Sequence, residues 1–163
     1  KNKFKYVFYH IIILIKNYGV FKLIWLIRLY LLFMSAIYSW IGIWALLDPV
    51  AAALDLDWPS FSVAIGLSVN SEIGYSEIAG IYGGLNLCIG LGCLLGIFKR
   101  DIGTFFIKFI TFLVGSIALG RFLFSMLPTT PTFMNTFFVF EVIAFTIGII
   151  LLFLNRRMDN KAL

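Results

Sequence analysis

A chain of 163 residues that is 61% hydrophobic, 18% aromatic and only 13% charged, with a mean hydropathy of +1.00, is too apolar to present a soluble surface. Its 13 Lys and Arg against 8 Asp and Glu give a formal net charge of +5, but the basic residues sit at the ends of apolar stretches. They therefore read as membrane topology and contact with anionic lipid, and no nucleic-acid partner is expected.

Crossing about 30 Å of hydrocarbon takes roughly 20 apolar residues in a helix. Four stretches approach that length, at 29–47, 78–98, 102–127 and 133–154. Their apolar runs are continuous on both parities, whereas membrane strands would alternate, so the expected class is all-α: a polytopic, four-transmembrane-helix antiparallel bundle occupying 23–155. Lys1 is not an initiator Met, so the chain is expected to begin inside a longer or processed product, and no signal peptide that ends here is visible.

Residues 1–22 form a basic, apolar N-terminal segment. Its run YVFYHIIILI at 6–15 is too short to span, and an interfacial helix is expected. Apolar residues surround the helical wheel, a pattern that packing on a partner protein would equally explain. His10 is the single histidine of the chain, so a site built on several imidazoles is not available within it. The first span, 29–47, should end at Asp48-Pro49, since proline removes a donor and disfavours helix in the residue before it.

The loop at 48–72 holds Asp48, Asp55, Asp57 and Glu72 and no basic residue, so it faces outward by the positive-inside rule, with both termini cytoplasmic. It is expected to lie on the outer surface, with a short helix near 50–54 and Trp58 in the aromatic belt. Asp55 and Asp57 lack the ligand series of a calcium loop and read as solvated. In the second span Gly80 and Gly84 make one GxxxG pair and Gly92 and Gly96 another, with Gly83 beside them. Close helix packing is the expected role. Cys88 and Cys93, five apart, fall on different helix faces and read as small core residues. Lys99 and Arg100 fill the turn to the third span, and Lys108 snorkels to the cytoplasmic side. After the fourth span, Arg156, Arg157 and Lys161 mark a cytoplasmic tail at 156–163.

At the helical rise, Glu77 lies about 31 Å above Phe98 and Glu141 about 20 Å above Leu154, while Arg121 lies about 10 Å before Pro128. These ionisable groups share one depth zone. The short PTTPT turn at 128–132 forces the third and fourth helices to be antiparallel neighbours. An unpaired charge within a bilayer costs several kcal/mol, so a hydrogen-bonded Arg121–Glu141 pair is expected, with Glu77 as a further acceptor. Tyr82, Asn86, Ser116 and Ser125 can satisfy remaining groups. The cluster Glu77, Tyr82, Asn86, Arg121 and Glu141 is either a structural lock or a site for a ligand or proton.

The stretch EIAGIYGG at 77–84, ALGR at 118–121 and the lone Glu141 resemble an uncharacterised family, a domain of unknown function, of small four-helix bacterial integral membrane proteins distantly similar to DoxX-type proteins. The resemblance covers about residues 29–155. It implies the four-helix fold, a bacterial inner membrane, and importance for Glu77, Tyr82, Gly83, Gly84, Arg121 and Glu141. Distant DoxX-like relatives suggest quinone-linked redox chemistry, for which this chain has neither a cysteine pair nor a histidine cluster.

Without a recognisable nucleophile, base dyad, metal cluster or phosphate loop, the reading leans away from an enzyme. The first expectation is a non-catalytic accessory or structural subunit of a larger membrane complex, bound to other subunits or to copies of itself. The alternative is a small lipid- or quinone-binding protein, an enzyme included, using the Glu/Arg/Glu cluster in the outer leaflet; a bound lipid or quinone is then the only cofactor considered. A small transporter ranks last, because no inverted repeat with broken helices is visible.

Overall fold

The computed structural model describes the backbone of residues 2–124 and 136–159, and the side chains of 21–124 and 136–156. Five helices account for the described chain: α1 (Asn2–Ala53), α2 (Phe61–Ala64), α3 (Glu72–Phe98), α4 (Arg100–Phe124) and α5 (Thr136–Asp159), with no strand among the described residues. Four stretches, Phe21–Ala53, Glu72–Phe98, Arg100–Phe124 and Thr136–Arg156, are long and apolar enough to cross a membrane. The last is the most apolar of them and also the least buried, with 22% of its most apolar stretch inside the protein. In a water-soluble protein apolarity and burial rise together; here they part, a pattern that fits helices able to face lipid.

Two boundaries differ from expectation. Helix α1 runs unbroken for 52 residues, so the segment 1–22 is not a separate helix, and Pro49 lies inside α1 and does not end it. Proline's fixed φ is helical, and its missing N–H deprives only the Ala45 carbonyl of its usual partner. One further turn therefore follows, and the short helix expected at 50–54 is the end of α1. The second boundary is the start of α3, at Glu72 and not at 78. Ser71 caps it, its hydroxyl accepting the Gly74 N–H at 3.2 Å, with Glu72 in the first turn; an acceptor and a negative charge both suit a helix N-terminus. The expected outward loop thus shrinks to 54–71, with α2 inside it. The PTTPT turn and Ser125 lie outside the described residues.

The chain divides into two compact units, one of Lys1–Leu29 with Thr104–Leu163 and one of Tyr30–Gly103. In the second unit, α1 and α3 lie against each other with opposite chain directions. Gly42 meets Leu87 and Gly83, Gly90 meets Ser39 and Ser35, and Gly96 meets Leu31. A methyl group at Gly90 would come within 2.7 Å of the Ser39 amide nitrogen, and one at Gly42 within 2.6 Å of the Leu87 nitrogen. Neither backbone can yield as a flexible side chain would. Lys99 is extended between α3 and α4, and the Gly96 and Gly103 backbones touch across this one-residue corner.

In the first unit, α4 and α5 show the same opposed contacts. Arg121 meets Glu141, Gly115 meets Phe145, and Thr111 meets Gly148. The buried Ile107, Ile110, Val114 and Ala118 recur at intervals of three and four along α4, which is the spacing of one helix face.

The expected packing glycines separate accordingly. Gly83 and Gly96 stand at contacts, Gly92 is buried, but Gly80 faces open space and Gly84 meets only Ala79 of its own helix. The GxxxG register at 80 and 84 is displaced because residues 78–84 form a π-helical segment, whose wider turn rotates the glycines away from the packing face. Gly90→Ala should destabilise the protein by about 1–3 kcal/mol through overpacking. Gly80→Ala should be neutral or stabilising by up to about 1 kcal/mol, since alanine is the better helix former. Thermal unfolding in detergent micelles distinguishes the two: a larger loss at Gly80 would overturn the assigned faces.

Candidate functional site

Two polar constellations occur, one in each unit. In the first unit, Arg121 from α4 donates through Nε to both carboxylate oxygens of Glu141 from α5, at 3.1 and 2.9 Å. Glu141 is 7% exposed, while the Arg121 side chain remains 37% exposed. The carboxylate is thus the enclosed partner and the guanidinium reaches over it. Two helices of opposite direction place these residues side by side, and the attraction between unlike charges in a low-dielectric setting holds them there.

In the second unit, Asp48 is 3% exposed. Its Oδ1 accepts the Phe61 N–H at 2.9 Å and its Oδ2 the Ser62 N–H at 3.1 Å. Further contacts complete the arrangement. Ser60 caps α2 by accepting the Val63 N–H at 3.4 Å, and its hydroxyl lies 2.8 Å from that of Ser62. The Trp44 indole N–H donates to the Pro59 carbonyl at 2.7 Å. Phe61 enters a core with Ala45 and Ile78, its ring 5.5 Å from both Trp44 and Tyr82.

The segment after α1 is therefore clamped to it by a carboxylate, an indole and an aromatic plug. A cavity of about 390 Å³ opens beside the clamp, lined among others by Asp48, Trp58, Ser60, Ser62, Val69 and Tyr75. That volume falls in the range that holds small ligands.

Of the sequence-predicted cluster, Arg121 and Glu141 are joined, and the hydrogen bonds of Arg121 among the described residues go to Glu141. Glu77, Tyr82 and Asn86 belong to the other unit. Glu77 is exposed and precedes the π-helical segment. Tyr82 packs on Phe61. Asn86 donates its amide N–H groups to the carbonyls of Ile81 at 3.3 Å and Tyr82 at 2.8 Å. A π turn spaces hydrogen bonds at i→i+5 and leaves carbonyls short of partners where it rejoins α-helix. Asn86 fills that gap, so its role is local. Two acceptors also settle which side-chain atom is the nitrogen.

By sequence Asp48 is a loop acid next to a helix-ending proline; in the structure it is a buried anchor. The available signal lay 12 residues on, where Ser60 before Phe61 has the form of a helix cap. Cys88 is exposed, Cys93 is buried, and both are free. No group of three or more His, Cys, Asp or Glu able to hold a metal occurs among the described residues.

No protein-family model matches the chain, and neither a curated protein nor a solved structure is significantly similar to it.

Arg121→Ala should cost about 3–5 kcal/mol by leaving Glu141 enclosed without its partner, whereas the double replacement Arg121→Met with Glu141→Leu should be near neutral. A double-mutant cycle from unfolding in mixed micelles measures the difference. If the single and double variants prove equally unstable, the pair does not carry this coupling. Asp48→Ala should cost about 2–4 kcal/mol, since two backbone donors lose a charged acceptor. Hydrogen exchange at Phe61 and Ser62 should accelerate with it, and protected amides there would contradict the clamp.

Proposed function

We propose that the chain is a multi-pass integral membrane protein, a four-helix antiparallel bundle with both termini cytoplasmic, acting as a non-catalytic accessory or structural subunit of a larger membrane assembly. The observation that carries this reading is that buried polar side chains within the apolar helices are spent on the protein itself: among the described residues, no buried side-chain nitrogen or oxygen lacks a hydrogen-bond partner. Glu141 is engaged through both oxygens, Asn86 through its amide, and Thr111 and Thr146 through bonds to the carbonyls of Ile107 and Val142. A site that works on a substrate or proton keeps groups in reserve for it. At Glu141, Asn86, Thr111 and Thr146 the groups close on one another or on the backbone.

The remaining helix surface is broad, apolar and aromatic. Trp25, Phe33, Trp40, Phe105 and Phe112 are all exposed, as suits lipid and neighbouring subunits. The resemblance of 77–84, 118–121 and Glu141 to small bacterial four-helix proteins supports a bacterial inner membrane as the location. The alternative of a quinone site on Glu77, Arg121 and Glu141 is less well supported, because the Glu141 charge already has its opposite charge in Arg121.

Native mass spectrometry of the protein extracted gently from its own membrane tests the role. A retained heavier partner or second copy is expected, and deleting residues 1–22 should release most of it. A chain that emerges as a monomer under conditions preserving other membrane complexes would sink the accessory reading.

A further inference from the structure

The cavity beside the Asp48 clamp has chemistry of its own, separate from the accessory role. Its walls come from five parts of one unit: the end of α1 (Asp48), the following loop (Trp58, Ser60), α2 (Ser62), the segment after α2 (Val69), and the start of α3 (Tyr75). The charge on this part of the chain is of one sign. Residues 29–98 contain Asp48, Asp55, Asp57, Glu72 and Glu77 and no Lys or Arg. Asp48 is buried, accepts two neutral backbone N–H groups and has no basic residue within that stretch.

A carboxylate offers about four lone-pair positions, so two N–H donors leave capacity on both oxygens. Buried charges are ordinarily balanced by an opposite charge, and the cavity lies against this one. Its aromatic lining residues, Trp58 and Tyr75, carry rings of the kind that attract alkylammonium groups. Leu56, Leu67 and Val69 add apolar wall, and the Ser60 and Ser62 hydroxyls add short polar contacts. Phosphates, sulfates and carboxylates would meet only negative charge.

We propose that this cavity is a binding site for an alkylammonium group, either the ammonium head of a lipid or a free alkylammonium ion, with Asp48 as counter-charge and Trp58 and Tyr75 as aromatic walls. The site is built by folding, because its walls meet only when the segment 54–71 is clamped to α1. It requires no chemical step and no metal.

The test uses the full chain in nanodiscs of phosphatidylglycerol, which offers no ammonium group. In one arm free choline is titrated in; in the other, phosphatidylcholine is added to the bilayer and its retention is read by native mass spectrometry. The readout for the first arm is the heat of choline binding by isothermal titration calorimetry, which does not depend on any one tryptophan and can be read in every variant.

Saturable choline binding identifies a free ion as sufficient, and selective phosphatidylcholine retention identifies a lipid head; either supports the site. Trp58→Ala, at an exposed position outside the clamp, should weaken the effect about tenfold, as expected for loss of a cation–π wall. Asp48→Asn keeps the side-chain shape, removes the counter-charge and should abolish the effect if it folds. Because Trp58→Ala leaves the clamp intact, a folding failure of Asp48→Asn does not remove the test. Absence of an effect in both arms, undiminished binding in Trp58→Ala, or equal binding of sulfate would overturn the proposal.

Discussion

The Asp48 carboxylate holds the N–H groups of Phe61 and Ser62 across 13 and 14 residues of chain, and one end of the Tyr30–Gly103 unit depends on it. A loop of mixed composition has little reason to settle on a helix end, since ordering its backbone costs about 1–2 kcal/mol per residue. Two charge-assisted hydrogen bonds, the Trp44 bond to Pro59 and the burial of Phe61 offset that cost locally. With Phe61 seated, its ring stands against Trp44 and Tyr82, which ties α1 to the π-helical segment of α3. The cavity exists because the same clamp brings the loop, α2 and the start of α3 around Asp48.

The other irregularities of these helices obey a related constraint. Where water is scarce, each break in the backbone ladder needs a partner from the protein. The π-helical segment receives the Asn86 amide at its end. Thr111 and Thr146 return their hydroxyls to carbonyls four residues earlier, the usual way a hydroxyl is accommodated on an apolar helix. Arg121 and Glu141 resolve the same difficulty for charges, each being the other's solvent. Pro49 sits a turn from the end of α1, where the loss of one backbone bond disturbs little.

Between helices, closeness takes over from apolar bulk. The α1–α3 contact is lined by Gly42, Gly83, Gly90, Ser35 and Ser39, and the α4–α5 contact by Gly115, Thr111 and Gly148. In a bilayer, helices whose outer faces are as apolar as their inner ones gain little from hydrophobic burial against each other, and close backbone approach with van der Waals contact is what carries association there. Many of the large apolar residues, Trp25, Phe33, Trp40, Phe105 and Phe112 among them, point outward.

The all-helical class and the four long apolar helices were legible because hydropathy adds up residue by residue and needs no knowledge of contacts. The Arg121–Glu141 pair was legible as well: the prolines and threonines at 128–132 mark a reversal between two consecutive apolar helices, and a charge within an apolar helix demands an opposite charge at its own height. The continuation of α1 through Pro49, the π-helical segment and the departure of Gly80 and Gly84 from the packing face depended on hydrogen-bond register, which side-chain spacing does not encode. Asp48 was hidden for a different reason. Its partners are backbone groups, which every residue possesses, so nothing in the residue types of Phe61 and Ser62 announces them. Only tertiary structure, by bringing those two N–H groups to one carboxylate, decided that an acid beside a proline is an anchor and that a cavity stands next to it.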